Sequence, residues 1–326
     1  MATLVEFLKR RWFLILLVAA LVIGIRWAVP LEALSVARGL RYAVVATVLF
    51  LMTLQLEATA IGKAARHPGP PLLGCGLNLC LVPLMAWGVV LVTPTSILDQ
   101  DTARGLLVAA TAPCTLASAS VWTRRAGGNE AISLMVTLVT NLCCFVVTPF
   151  WLWVMTGESA GVSLTSMIGK LGIVVVLPML LAQLVRLMPS SRKFARNRKT
   201  AIGVAAQLGI LFMVLMGAIQ TGMRLRGLPQ VPSVFDWAGL IGLIWIIHTV
   251  ALVFGFWIAR KMAVKPRDAK AVAIAGSQKT MMVGLQVGMD LGWSIVPMVV
   301  YHVSQLVIDT LICDRWRQTD RSGNAG

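Results

Sequence analysis

Long apolar stretches separated by short polar segments dominate the chain. Because a helix needs about 20 apolar residues to cross the hydrocarbon core of a bilayer, each stretch is predicted to be a membrane span. The predicted spans lie near residues 12–29, 40–58, 71–93, 103–122, 131–155, 166–188, 201–221, 236–258, 269–288 and 291–312. The pattern therefore predicts an all-α integral membrane protein with ten transmembrane helices.

Two of these spans are interrupted by residues that disfavour a helix. The fourth contains Pro113 and then small hydroxyl residues as far as Ser120, and the ninth contains Gly276–Thr280. Proline removes a backbone donor, and inside a bilayer the freed groups need protein or water-filled surroundings. Many secondary transporters build their binding sites from such broken helices. We therefore expect the two breaks to form the functional centre.

The order of the spans predicts an internal repeat. Five spans precede the loop Gly157–Gly161 and five follow it, and the broken span is the fourth in each half. An odd number of spans in each half gives the halves opposite orientations, which is the inverted repeat of many transporters. We therefore predict a first five-helix repeat at 1–157, a second, inverted repeat at 158–313, and a cytoplasmic C-terminal tail at 314–326.

Composition and charge support a membrane location. Only 13% of the 326 residues are charged and 58% are hydrophobic, whereas soluble domains have about 25% charged residues. The net charge of +16 would suggest a nucleic-acid partner in a soluble protein. Here the basic residues lie between apolar stretches, so the positive-inside rule and anionic lipid headgroups at cytoplasmic loops explain them. We predict a plasma or inner membrane protein with both termini cytoplasmic and no nucleic-acid partner. Arg41 and Asp290 fall on predicted outside loops.

Nothing in the sequence indicates an enzyme. The HExxH, nucleophile-elbow and phosphate-loop motifs are missing, and each would be needed for its own chemistry. The six cysteines lie in or beside apolar stretches without a CxxC pair, so they are interpreted as small hydrophobic residues. No cofactor is predicted.

Lys279 is the sharpest single signal. It lies nine residues after Lys270, or roughly 13 Å into the span at 1.5 Å per residue. That depth approaches the middle of a hydrocarbon core about 30 Å thick, where a lysine is costly and indicates function. The alternative is that its side chain snorkels to the cytoplasmic surface.

Several other polar residues lie within predicted spans. Ser133 and Thr137 share one face of the fifth span, and Asn141 extends that stripe. Hydroxyl groups in membrane helices often bond to the preceding turn, but the amides of Asn78 and Asn141 need several partners. Contact between helices is the alternative for each of them.

The last spans contain further polar residues. His302 and Gln305 share a face, and helix contacts are expected for both. Asp309 is expected to reach water at the cytoplasmic end of its span. His248 completes this set.

The motifs together resemble the bile acid:sodium symporter family, in its divergent SBF-like branch. The resemblance is carried by Gly76–Pro83, by Ala112-Pro113 with its small residues, by Arg124–Ser133 and by Thr148-Pro149. It continues through His248, Gly255-Phe256, Lys270-Ala271 and Gly276–Lys279. The order and spacing of these motifs extend over nearly the whole chain.

The resemblance implies ten helices in two inverted repeats, arranged as a panel domain and a core domain. It also implies that the broken fourth and ninth helices cross, with sodium bound beside the crossing. By position, Asn78 matches a cation-site glutamine, Ser133 and Thr137 match hydroxyl ligands, and Ser120 is a partial match. Classical members of the family have a glutamate in the ninth helix, whereas Ala275–Lys279 holds no carboxylate. A residual sodium site at Asn78, Ser133 and Thr137 is therefore one alternative.

The leading hypothesis is a secondary transporter of a small organic anion. Its predicted substrate site comprises Ser118, Ser120, Ser133, Thr137, Ser277, Gln278 and Lys279. We expect sodium-independent transport because the Lys279 ammonium can take the role of a bound sodium ion. Since burial makes a lysine easier to deprotonate, proton coupling is a second option. The competing hypothesis is a non-transporting membrane regulator or scaffold on a transporter fold.

Overall fold

The computed structural model describes residues 2–56, 67–157, 163–227 and 233–323. All regular secondary structure in these ranges is helical. The helices are α1 (Ala2–Arg26), α2 (Glu32–Val36), α3 (Arg38–Leu54), α4 (Gly69–Val92), α5 (Gln100–Thr111), α6 (Ser118–Arg125), α7 (Glu130–Thr156), α8 (Leu164–Arg186), α9 (Pro189–Asn197), α10 (Lys199–Gly227), α11 (Val234–Lys261), α12 (Pro266–Ser277), α13 (Met281–Leu291) and α14 (Val296–Gly323).

Six of the described helices are long and apolar enough to cross a membrane, namely α4, α7, α8, α10, α11 and α14. A shorter apolar stretch, Trp12–Arg26, lies in α1. The protein is therefore an integral membrane protein, as predicted. Helix α14 continues to Gly323, so most of the predicted tail is helical. Most of the predicted connecting loop, residues 158–161, lies outside the described residues.

Both predicted interruptions are present. The first separates α5 from α6 at residues 112–117, and the second separates α12 from α13 at residues 278–280. At the first break, Ala112 adopts an extended backbone immediately before Pro113 (φ −61°, ψ 147°), because the proline ring disfavours the helical conformation of the preceding residue. At the second break, Gln278 is also extended (φ −73°, ψ 143°).

Proline also alters two of the continuous helices. A π-helical turn at Leu77–Leu81 in α4 precedes Pro83, and another at Gly172–Val176 in α8 precedes Pro178. A proline within a helix removes the donor for the carbonyl four residues earlier. For Pro83 that carbonyl belongs to Leu79, and the indole Nε1 of Trp151 donates to it at 2.7 Å. A neighbouring helix thus satisfies the group that proline leaves free.

The helices pack in two groups. In the first group α10 packs against α1 and α3, and α3 packs against α8. The second group contains α4, α5, α6, α7, α11, α12, α13 and α14, with α12 packed between α11, α4 and α7. The two groups meet where α8 lies against α7 and where α3 and α10 lie against α13. Both breaks are in the second group.

Ion pairs join the two groups at one end of the helices. Arg41 of α3, which is 2% exposed, donates to Asp290 of α13. Arg224 of α10 pairs with Asp101 of α5 at 3.2 Å, and its side chain also lies near Gly292. The assignment of Arg41 and Asp290 to loops was wrong, because both lie within helices and Arg41 is buried. Their contact offsets the cost of burying the guanidinium.

Candidate functional site

The two breaks touch directly. The backbone N–H of Thr280 donates to the carbonyl of Pro113 at 2.7 Å. Each break has lost its own helical partners, so this bond gives an unpaired donor of one break an acceptor in the other. Residues 271–289 and 105–116 are buried throughout. We call this region, comprising residues 112–118 and 277–280, the crossing.

Helix α7 supplies the polar groups that satisfy the first break. The Asn141 amide donates to the carbonyls of Cys114 at 2.7 Å and Thr137 at 2.8 Å. The Thr140 hydroxyl accepts from the Cys114 N–H at 3.2 Å, and the Thr137 hydroxyl donates to the Thr115 carbonyl at 3.3 Å. Two members of the polar stripe predicted on the fifth span, Thr137 and Asn141, therefore face the break and stabilise its irregular backbone.

Asn78 of α4 satisfies the second break in the same way. Its fully buried amide donates to the carbonyl of Gln278 at 2.8 Å, and to those of Ala275 and Gly276 at 3.3 Å. Ala275 and Gly276 are among the last residues of α12 and Gln278 follows its end, so their carbonyls have no helical donor. Close approach of α4 is possible because Gly276 lacks a side chain, since a Cβ there would lie 2.9 Å from the Leu77 Cβ.

Lys279 is fully buried at the crossing, so the alternative that it snorkels to the surface was wrong. Its Nζ donates to the backbone carbonyl of Asn78 at 2.6 Å. That carbonyl has no donor within α4, because the Val82 N–H bonds to Leu77 and Pro83 has no N–H. The π-turn and the proline thus create the acceptor that the ammonium uses.

Gln305 of α14 holds the backbone of Lys279. Its Oε1 accepts from the Lys279 N–H at 2.8 Å, and its Nε2 donates to the Lys279 carbonyl at 3.0 Å. The second proton of Nε2 faces His302 Nδ1 at 3.0 Å. Gln305 and His302 therefore make helix contacts, as expected.

Gln278 links the two breaks through its side chain. Its Oε1 accepts from the Ser118 hydroxyl of α6 at 3.1 Å, and its Nε2 donates to Asp309 of α14. Asp309 is fully buried and also lies 3.0 Å from His248 Nε2. The expectation that Asp309 reaches water was wrong, because the packing of α11 and α12 on α14 encloses its carboxyl group.

The remaining predicted residues differ in their surroundings. Ser277 is buried, and its carbonyl accepts from the Tyr301 hydroxyl at 3.1 Å. Ser133 is buried on α7, but its hydroxyl has no partner in the part of the chain that the structure describes. Ser120 lies half-buried on α6, about 200° around the helix from Ser118. No side-chain hydrogen bond among the described residues involves it, so Ser120 stays outside the network at the crossing.

Three buried oxygens near the breaks have no hydrogen-bond partner among the described residues, namely Asn78 Oδ1, Asn141 Oδ1 and Ser133 Oγ. Neutral oxygens of this kind can be ligands for an alkali cation. The described residues contain no group of three or more His, Cys, Asp or Glu side chains placed to hold a metal ion.

A model of the SBF-like CPA transporter family matches residues 11–318. The chain belongs to this family. This match confirms the family assignment made from the motifs. The family is one of membrane transporters and not of enzymes. Sodium/bile acid cotransporter 7 of Danio rerio is 23% identical over 95% of this chain and 94% of its own length. The rat protein of the same name is 24% identical, covering 95% and 93%. A probable chloroplastic sodium/metabolite cotransporter, BASS4 of Oryza sativa subsp. indica, is 27% identical over 84% of this chain and 68% of its own.

Proposed function

We propose that this member of the family moves a small organic anion by alternating access around the crossing. The proposal includes ten spans in two inverted five-helix repeats, with residues 1–157 and 158–313 as the repeats. It also includes a panel domain, formed by the first packing group, and a core domain, formed by the second. The observation that carries it is the buried Lys279 ammonium at the point where two broken helices meet.

The order of the helices supports this architecture. In each proposed repeat the interrupted segment comes fourth, as α5–α6 in the first and α12–α13 in the second. Fewer helix pairs are in contact between the two packing groups than within either group. That arrangement suits relative movement of one group against the other, as alternating access requires.

An anion is the substrate that the crossing favours. When protonated, Lys279 carries a positive charge, and α6 and α13 begin at the breaks, so their positive ends face the same region. Ser118 and Gln278 add polar groups that can orient a carboxylate or sulfonate. The relatives are named as cotransporters of bile acids and metabolites, which supports an organic anion here.

For coupling, we propose that Lys279 takes the role that sodium has in other members. Its Nζ already donates a hydrogen bond to the Asn78 carbonyl, which Pro83 and the π-turn leave without a helical donor. No ion therefore has to bind there. The competing arrangement places sodium among the unpaired oxygens of Asn78 and Ser133 with the hydroxyl of Thr137. An ammonium at the crossing would repel such an ion.

The test is flux through purified protein in liposomes, with a panel of organic anions that includes bile acids. We expect uptake by the wild type and its loss in Lys279→Ala. Lys279→Ala removes a hydrogen bond to a charged group, which contributes about 1.5–3 kcal/mol. Flux through this variant should therefore fall by about ten- to a hundredfold. Lys265→Ala is the matched control, because this exposed lysine lies at the start of α12.

Absence of flux for every anion, with protein that is folded and monodisperse, would contradict the proposal and favour the non-transporting regulator. Equal flux through Lys279→Ala and the wild type would contradict only the role proposed for the ammonium, and not the transport function.

A further inference from the structure

His248 of α11 and Asp309 of α14 form a pair that lies wholly inside the second packing group. Both side chains are 0% exposed, and His248 Nε2 lies 3.0 Å from Asp309 Oδ1. The other ring nitrogen, Nδ1, lies 3.2 Å from the carbonyl of Ser277 at the end of α12. The other carboxyl oxygen, Oδ2, accepts from Gln278 Nε2.

The partners determine how many protons the pair holds. A backbone carbonyl only accepts, so a hydrogen bond between Nδ1 of His248 and the Ser277 carbonyl requires a hydrogen on Nδ1. Two facing lone pairs at 3.0 Å would repel each other, so a second hydrogen must lie between Nε2 and Oδ1. The pair is then either imidazolium with carboxylate or imidazole with carboxylic acid. Both forms have zero net charge and one proton more than neutral histidine with a carboxylate.

The same reasoning gives a different result for His302. Gln305 must present its oxygen to the Lys279 N–H, so its nitrogen faces His302 Nδ1. An amide nitrogen only donates, so Nδ1 of His302 is an acceptor and the ring is neutral. The extra proton is therefore a property of the His248–Asp309 pair and not of every buried histidine in the protein.

The groups around the pair indicate that the shared proton neutralises the Asp309 carboxylate. The Tyr301 ring lies 5.8 Å from the imidazole, and its hydroxyl donates to Ser277. The thiols of Cys114 and Cys313 lie near enough to Asp309 to interact with it electrostatically. The nearby ammonium groups bond elsewhere, with Lys279 on the Asn78 carbonyl and Lys270 on that of Ala126. Among the described residues, no other ion pair involves His248 or Asp309.

We propose that His248 and Asp309 form the binding site for one coupling proton. This inference rests on the transport function proposed above and assigns its coupling ion. When the proton leaves, Nε2 keeps its lone pair and Asp309 keeps a negative charge in a buried position. The carboxylate of the empty carrier then balances the Lys279 ammonium. In the fully loaded carrier the pair is neutral and a monoanionic substrate balances Lys279.

The charges favour movement of the carrier only when it is empty or carries both proton and anion. A carrier with one of the two alone holds an unbalanced charge within the membrane, which is costly. Gln278 couples the protonation of Asp309 to the crossing. Its side chain bonds to Asp309 on one side and to Ser118 of α6 on the other.

Solid-state NMR of purified protein in liposomes, labelled with ¹⁵N-histidine and ¹³C-aspartate, tests the site without any substrate. At neutral pH we expect either an imidazolium with a carboxylate or a neutral imidazole with a carboxylic acid. Both signals should change together when alkali removes the proton. Asp309→Asn and His248→Gln assign the signals by their loss, and either variant suffices if the other does not fold. His302→Gln is the matched control and should leave the pair's signals in place.

A neutral His248 ring beside a deprotonated Asp309 at neutral pH would overturn the inference. Independent titration of the two groups would overturn it as well. Because the measurement needs no flux, failure to transport any tested anion would count against the proposed function and leave the proton site standing.

Discussion

The buried ion pair between Arg41 and Asp290 offers a quantitative test of how the two packing groups are joined. Asp290 accepts from Arg41, from the Tyr42 hydroxyl at 3.2 Å and from Gln286 Nε2 at 2.7 Å. The perturbation is Asp290→Asn, which keeps the shape of the side chain and removes its charge. The Arg41 guanidinium then stays buried without a counter-charge.

The structure sets the size of the effect. Removing one partner of a buried pair costs about 3–5 kcal/mol. We expect about 3 kcal/mol, the lower end of that range, because the Asp290 side chain is 16% exposed and Arg41 Nε already lacks a partner. Arg41→Met should cost less, since Tyr42 and Gln286 still donate to the carboxylate. The double variant should cost about 2 kcal/mol less than the sum of the two single variants.

The assay is unfolding of detergent-solubilised protein by a denaturant, from which the free energy of unfolding is obtained for each variant. Arg224 and Asp101 form the control pair, because they join the same groups but have side chains 31% and 48% exposed. Exposed pairs contribute about 0–1 kcal/mol. Costs that add to within about 0.5 kcal/mol for Arg41 and Asp290 would refute the argument.

Two further predictions concern the first break and the topology. Asn141→Leu leaves the Cys114 carbonyl unsatisfied, so the free energy of unfolding should fall by about 1–3 kcal/mol, while Cys143→Ala on the same helix should change it little. An undiminished stability would contradict the capping role of Asn141. For topology, a cysteine introduced at Gly157 should be labelled only from outside and one at Arg196 only from inside. Labelling of both from one side would exclude the inverted repeat.

The positions of the breaks could be predicted from the sequence because their causes are local. Pro113 and the glycine and hydroxyl residues near Ser277 have low intrinsic helix propensity. The amide of Asn141 was a sound signal for the same reason, since an amide inside a bilayer needs partners. The burial of Lys279 agrees with a position inside a span, which was inferred by counting residues from Lys270.

The partners of these residues could not be predicted, because they depend on how distant helices pack. His248 and Asp309 are 61 residues apart, and only the packing of α11 on α14 brings them together. The carbonyl that receives the Lys279 ammonium depends on a π-turn, for which Pro83 was the available signal. Arg41 and Asp290 were assigned to loops because charges near span ends usually face water. Because the two side chains pair with each other, they do not need to face water.

The central claim is that the Lys279 ammonium replaces a coupling sodium ion. The most direct measurement is wild-type anion uptake into liposomes with sodium on both sides, and again with all sodium replaced by choline. Equal uptake in the two conditions is the predicted result. Collapse of uptake in choline, together with undiminished uptake in Lys279→Ala when sodium is present, would contradict the claim.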